Sequence, residues 1–544
     1  MVFNSGGGTS SYTDMERTDI NILWGSNARE THPVMFLHML KGVSNGTRLV
    51  VVDPRRTLSV DAAHEWLPIR VGADIALANA MAQVIIEEHL QHQWFIDHAT
   101  TGFADYARAI ATATPEWAEP ITGIPAEQIR RVARDFARAK TGMICWTLGI
   151  TEHHNAVDNV LGLINLVLLT GKVGRPGCGV NPLRGQNNVQ GGGDMGALPD
   201  RLPGFQPVED APARAKFERA WGVPVPPNKG RHQTDMFAAM ETGQLRCLYV
   251  LGENPRQSDA DAHHVETLLR GLDFLVVQDI LMTATAELAD VVLPGSASWA
   301  EADGTVTNSE RRVQLCRKAI DPPGEARDDC QILQDLANRL GADWRYTSAE
   351  QIWDELRALS PMHAGMSYAR LAAHNGLQWP CYDEEHPGEA IMHWRLWEEP
   401  LLGPPVPFIA TAYEPPVDQV TPEYPLMLTT GRRLEFFNTG VQSGLYDSPR
   451  AQEEELELNP DDAAALGIAD GALVRVSSRR GSVELRARAD RGLYRGLAFL
   501  TFHHPDQAAV NRLTIHATDP KSGTAEFKAT AIRVEPVMAG EGVR

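Results

Sequence analysis

The chain has 544 residues, 43% hydrophobic and 22% charged, with a net charge of -20 and a pI near 5.4. At roughly 150 residues per domain this implies three or four domains with ample core, and the acidity excludes a nucleic-acid surface, which needs a concentrated basic face. No run reaches the roughly 18 apolar residues of a membrane span: the longest, VLGLINLVLL at 160–169, is interrupted by Asn165.

The amino terminus, MVFNSGGGTSSYTDMERTD, lacks the basic and apolar regions of a signal peptide, so a cytoplasmic location is expected. INILWG (20–25) and RLVVVDP (48–54) are β-rich runs ending in turn residues, and HPVMFLHMLKG between them has helical spacing closed by glycine. Helical patterns follow at 74–90, 126–140 and 157–170, with the strand GMICWTLGI at 142–150. Such alternation predicts a parallel sheet covered by helices.

A second series begins near 245. YVLGEN followed by VVQDI repeats the logic of ILWGSN followed by VVVDPRR: a strand, a polar turn, and an acidic residue after the next strand. Two related nucleotide-binding halves are expected. A helical stretch at 329–358 precedes a Pro-, Trp- and acid-rich segment with little periodicity, and β runs at 425–430, 472–478, 482–489, 496–502 and 527–534 predict a small barrel. The expected fold is α/β, with two nucleotide-binding-like parallel-sheet domains (1–186 and 187–400), a connector (401–424), a C-terminal β-barrel domain (425–536) and a tail (537–544).

The segment NPLRGQNNVQGGGDMG, 181–196, sets one arginine among amides and glycines. A guanidinium supplies planar, permanently charged donors, and glycine lets backbone approach a ligand, so anion or cofactor chemistry competes with a plain polar loop. Six scattered cysteines without CxxC spacing offer no cluster cradle, and the adjacent pairs His153-His154, His263-His264 and His503-His504 point apart, so no metal ligand is assigned.

Together with GSNARETHP (25–33), VDPRR (52–56), VGADIALANA (71–80), LTGKVGRPGCGVNP (169–182), GENPRQSDA (252–260), QDILMTATAELADVVLP (278–294) and LTTGRR (428–433), this segment resembles the catalytic subunit of molybdenum- or tungsten-dependent formate dehydrogenases. The resemblance covers nearly the whole chain. It implies oxidation of formate to carbon dioxide at a metal held by two molybdopterin guanine dinucleotides, with Arg184 orienting formate and Gln186 beside it. Cofactor contacts implied in the first half are Gly25, Asn27, Asp53, Arg55, Gly72, Asp74, Gly149 and Gly185. In the second half they are Gly252, Asn254, Ser258, Gln278 and Asp279, and in the barrel Thr430, Gly431, Arg432, Asn438, Thr439, Asn511 and Lys528. Implied partners are iron-sulfur or flavin subunits or a hydrogenase.

Family members open with a cysteine-rich segment for a 4Fe-4S cluster and a cysteine or selenocysteine that ligates the metal. The chain shows neither, so a truncated product is expected: a selenocysteine UGA codon read as a stop would account for it, as would a frameshift or a separately encoded partner chain, and the polypeptide alone is expected to be inactive. Alternatives are a nitrate reductase-like member of the same cofactor family and a non-catalytic structural relative.

Overall fold

The computed structural model describes residues 1–441, 453–506 and 508–537; the expected tail lies, from residue 538 onward, outside the described residues. Five parallel strands open the chain: β1 (Ile20–Trp24), β2 (Arg48–Val52), β3 (Glu65–Leu67), β4 (Gly142–Trp146) and β5 (Gly179–Pro182). Their spatial order is β3-β2-β1-β4-β5. Strands this short and apolar need cover on both faces. The helices Asp74–Glu87, Ala126–Arg138 and Ala156–Leu169 seal one face through Leu77, Met81, Ile129, Phe136 and Leu163, and Met35, Phe36 and Met39 of the helix Pro33–Ser44 seal the other. The chain leaves β1 in one direction for β2 and β3 and returns on its other side as β4, which opens a crevice at the carboxyl ends of β1 and β4.

The second half contains a parallel sheet of β6 (Cys247–Leu251), β7 (Phe274–Asp279) and β8 (Val291–Pro294), with β7 central. Phe237, Val265 and Leu269 on two flanking helices pack against it. An antiparallel sheet not anticipated from the sequence follows: β9 (Gly304–Thr307), β10 (Arg312–Cys316) and β11 (Leu377–Gln378). Arg311 at the β9–β10 turn is fully buried and donates to the carbonyls of Gly8, Glu389 and Ala390 at 2.5, 2.8 and 3.0 Å, tying the amino-terminal segment to this sheet.

Residues 401–424 are more than a connector. Val406–Pro407 pairs in parallel with Thr100–Thr101, Phe408 stacks on Tyr106, and the carbonyls of Ile409 and Thr411 accept from Asn165 and Asn79 at 2.8 and 2.9 Å. The absence of periodicity reflects this role, because an extended strap laid on another domain is held through its backbone.

The last strands are β12 (Leu426–Gly431), β13 (Glu455–Leu458), β14 (Leu473–Ser477), β15 (Ser482–Ala489), β16 (Leu497–Thr501) and β17 (Thr530–Pro536), closed in the order β12-β16-β13-β15-β14-β17. Alternate burial along β15 sends Val483, Leu485 and Ala487 inward, and closure leaves no free edge. Among the described residues no helix is long and apolar enough to cross a membrane.

Candidate functional site: two matched crevices beneath the barrel

The two parallel sheets carry the same device. Trp24 pairs with Val52 and Leu251 with Gln278; the next residues, Gly25 and Gly252, have φ of +57° and +62°, and each donates its N–H to the facing carbonyl (Val52 and Gln278) at 2.8 Å. Asn27 and Asn254 then precede one-turn helices. Across the sheet, Asp53 directly follows Val52 and Asp279 directly follows Gln278, and each carboxylate accepts the N–H two residues on, from Arg55 at 2.9 Å and Leu281 at 3.0 Å. These short turns fix a carboxylate and a glycine at the carboxyl end of each sheet.

Gly149 completes the first crevice. Its N–H donates to Gly25 O at 3.1 Å, and a Cβ on Gly149 would stand 2.5 Å from that oxygen and 2.7 Å from Gly25 Cα, backbone against backbone. Gly149→Ala is therefore expected to destabilise the first domain by at least about 2 kcal/mol, because neither the turn after β1 nor the one-turn helix Leu148–Thr151 can yield. Urea denaturation checks this; an unchanged midpoint would show that the turn relaxes.

Each crevice opens into a cavity. The first, about 380 Å³, is lined by Gly25, Asn27, Asp53, Arg55, Gly72, Asp74, Gly149, Gly185, Gln186, Thr430, Gly431, Arg432, Asn438 and Lys528, all expected from the sequence. The second, about 490 Å³, is lined by Gly252, Asn254, Ser258, Asp279 and Thr439 and shares Gln186, Arg432 and Asn438 with the first. The cavities thus meet where Gln186 donates to Asn438, beneath the barrel. Arg432 stands at this junction with its Nε buried and, among the described residues, without an acceptor.

Three expected residues lie outside both linings. Gln278 is buried and donates to Asp329 at 2.7 Å while accepting from Tyr249, and Asn511 donates to the carbonyls of Gln257 and Ser258 at 2.9 Å, bracing the Ser258 turn from the barrel. Arg184 turns its guanidinium into protein: Nη2 donates to Gly6 O at 2.7 Å and Nε to Gln190 Oε1 at 3.2 Å, while among the described residues Nη1 has no acceptor. Its backbone is pinned as well, the N–H donating to Ser309 Oγ at 2.7 Å and the carbonyl lying 2.8 Å from His32 Nε2.

Electrostatics separate the groups further. Burial lifts Asp53 to about 6 against the partial opposition of the Arg55 N–H and charge, and burial also raises Asp279. Lys528, fully buried, is lowered by desolvation although it pairs with Glu152 at 2.7 Å and donates to Thr430 O at 3.1 Å. Sequence reasoning missed Glu152, His153 and Glu526, whose side chains form a buried polar seam between barrel and first domain. It also missed Phe499, whose ring carries the Arg55 guanidinium at 3.2 Å. The one available signal was the polar run TEHHN, which links the one-turn helix Leu148–Thr151 to the helix Ala156–Leu169.

Two parallel-sheet α/β halves, each with a crevice at the carboxyl end of its sheet, meeting under one closed barrel define the class of fold. Comparison with known proteins narrows the class. Residues 3–339 match the molybdopterin oxidoreductase family and residues 426–531 match the molybdopterin dinucleotide binding domain. The chain is 42% identical over 541 residues to the F420-dependent formate dehydrogenase 2 subunit alpha of Methanococcus maripaludis, covering 98% of this chain and 79% of that protein. To formate dehydrogenase H of Escherichia coli it is 36% identical over 539 residues, covering 98% and 75%. Acetylene hydratase from Pelobacter acetylenicus shares the fold, with a TM-score of 0.73 at 21% identity over 97% of this chain and 79% of that one. The chain belongs to the molybdopterin oxidoreductase family, and its relatives include formate dehydrogenase alpha subunits.

Proposed function

We propose that this chain is the catalytic subunit of a formate dehydrogenase that oxidises formate to carbon dioxide, a proton and two electrons at molybdenum or tungsten held by two molybdopterin guanine dinucleotides. The observation that carries the reading is the matched pair of crevices converging on Gln186, Arg432 and Asn438, within a chain about 40% identical to formate dehydrogenase alpha subunits. The residues fit such a group. Asp53 and Asp279 offer carboxylates to the N–H and O–H donors of guanine and ribose, and Gly25 and Gly252 admit close approach of a dinucleotide. Arg432, with its buried Nε unsatisfied, and Lys528 suit the anionic linkages between them. When bound, the metal centre supplies the two-electron acceptor.

The chain's own part in the reaction is orientation. Two nitrogens of Arg184 are fixed by protein acceptors, so the remaining Nη1 has a defined direction in which to hold a carboxylate. Gln186 contributes hydrogen bonding beside it without adding charge. The electrons leave through a partner, an iron-sulfur or flavin subunit or a hydrogenase. The native complex, assayed for bound metal and for formate-dependent reduction of a viologen dye, is expected to turn over formate. Nitrate reduction by the reduced dye, with no formate oxidation, would overturn the assignment.

A further inference from the structure

The helix Val189–Asp194 follows Arg184 and presents Gln190 and Asp194 one turn apart, both buried. Gln190 Oε1 accepts from Arg184 Nε at 3.2 Å, and Gln190 Nε2 donates to Asp194 Oδ1 at 2.9 Å. The second carboxylate oxygen, Oδ2, accepts from Trp379 Nε1 at 2.7 Å, so β11 and the residues after it anchor the far end. The turn beyond the helix adds Gly204, whose N–H donates to Asp194 O at 2.7 Å. Nothing in this row touches either cavity, and a buried carboxylate is expensive to keep unless it serves a partner.

We infer that Gln190 and Asp194 are positioning residues for substrate binding: Asp194, anchored by Trp379, fixes the amide of Gln190, and Gln190 in turn fixes the plane of the Arg184 guanidinium so that Nη1 meets the substrate carboxylate. This rests on the reading of Arg184 as the formate-orienting group. Amide donors and acceptors have two ends, and the Asp194 acceptor dictates which end of Gln190 faces Arg184. With Asp194 Oδ1 taking the Nε2 donor, only Oε1 remains for the guanidinium. The negative charge also lies beyond Gln190, on the Nε side of Arg184, where it compensates a buried cation.

Desolvation raises Asp194 to about 7, opposed by Gln190, Trp379, Arg184 and Arg311, the last two being the charged groups that face it. Below pH 7 the carboxyl is protonated and gains its own donor, so the Gln190 amide loses its enforced orientation and KM for formate is expected to rise as pH falls.

The test uses the loaded complex. Asp194→Asn can present an amide donor to Gln190 and removes the charge; it is expected to raise KM for formate roughly tenfold, with kcat changed less than about threefold, and to flatten the pH dependence of KM near 7. In an Arg184→Lys background, which removes the planar fork, the same substitution is expected to have no further effect on KM. Formate-induced elevation of Tm gives binding without turnover and is expected to shrink in Asp194→Asn. Gln190→Met serves if Asp194→Asn does not fold, with the same KM rise expected. A wild-type complex that neither oxidises formate nor gains Tm from it would overturn the formate reading itself. Wild-type activity together with unchanged KM and Tm elevation in the variants would overturn the positioning role alone.

Discussion

Asp53→Asn is expected to stabilise the cofactor-free protein and to strip the cofactor from the loaded one. Asp53 is buried at the end of β2, where its Oδ1 accepts the Arg55 N–H, and among the described residues no donor meets its second oxygen. Its pKa is raised from 3.8 to about 6, chiefly by burial. The sign follows: a carboxyl that binds its proton more tightly folded than unfolded favours folding below pH 3.8, and that advantage is lost as pH rises through 6. Keeping the carboxylate charged in this buried place above pH 6 costs at most about 3 kcal/mol. Asparagine keeps the acceptor for Arg55 and removes the penalty, so the variant made without cofactor is expected to unfold at higher urea than wild type at pH 8, with the advantage fading toward pH 4. In the loaded complex the same change removes the anionic acceptor proposed for the guanine or ribose donors, and metal per chain is expected to fall more than tenfold. Loss of stability without cofactor at pH 8 would mean that the carboxylate is structural.

That opposition between stability and binding marks what the sequence could and could not disclose. A strand ending in Gly-x-Asn and a neighbouring strand ending in Asp are local patterns, and the local turns that place Gly25, Asn27 and Asp53, or Gly252, Asn254 and Asp279, need no distant partner. The barrel strands of 473–489 were legible for the same reason, since inward and outward residues alternate. β13 was not. Its ELEL sits in an acidic run that reads as solvated surface, yet Glu457 is buried because Arg55, Arg433 and Arg488, brought from three other places in the chain, overcome the burial that would otherwise raise it. The direction of the Arg184 side chain was equally hidden. It depends on Gly6, 178 residues away, and on Gln190, which sequence alone offered as one of several amides. The unforeseen antiparallel sheet depends on β11 arriving some sixty residues after β10.

Glu526 is where long-range assembly is most exposed to a single substitution. Its carboxylate is fully buried between barrel and first domain: Oε1 accepts the N–H groups of Lys528 and Ala529 at 2.9 and 3.0 Å, Oε2 accepts the His154 N–H at 3.0 Å, and His153 Nδ1 lies 3.3 Å away. Nearby, Asp519 accepts the Val157 N–H at 2.7 Å, so two acidic groups from the barrel meet the amino-terminal end of the helix Ala156–Leu169. Burial alone would raise Glu526 and lower His153, but their mutual attraction and hydrogen bonding prevail, holding the glutamate well below the ordinary range and lifting the histidine. The two shifts bound a window. The glutamate's contribution is present above its usual 4.5 and is lost as pH falls through its depressed value, whereas the histidine's is present below 6.5 and is lost as pH rises through its elevated value. Docking of the barrel is therefore expected to be firmest between about pH 4.5 and 6.5. Glu526→Ala leaves His153 and three backbone N–H groups without their acceptor and is expected to destabilise the barrel contact by about 3–5 kcal/mol. Hydrogen exchange of the 519–529 segment and the adjoining helix start gives the measurement. Rapid exchange there in the variant, with the gain in wild-type protection on going from pH 8 to pH 6 abolished, is the expected outcome; wild-type protection in Glu526→Ala would show that the apolar contacts hold the barrel without this cluster.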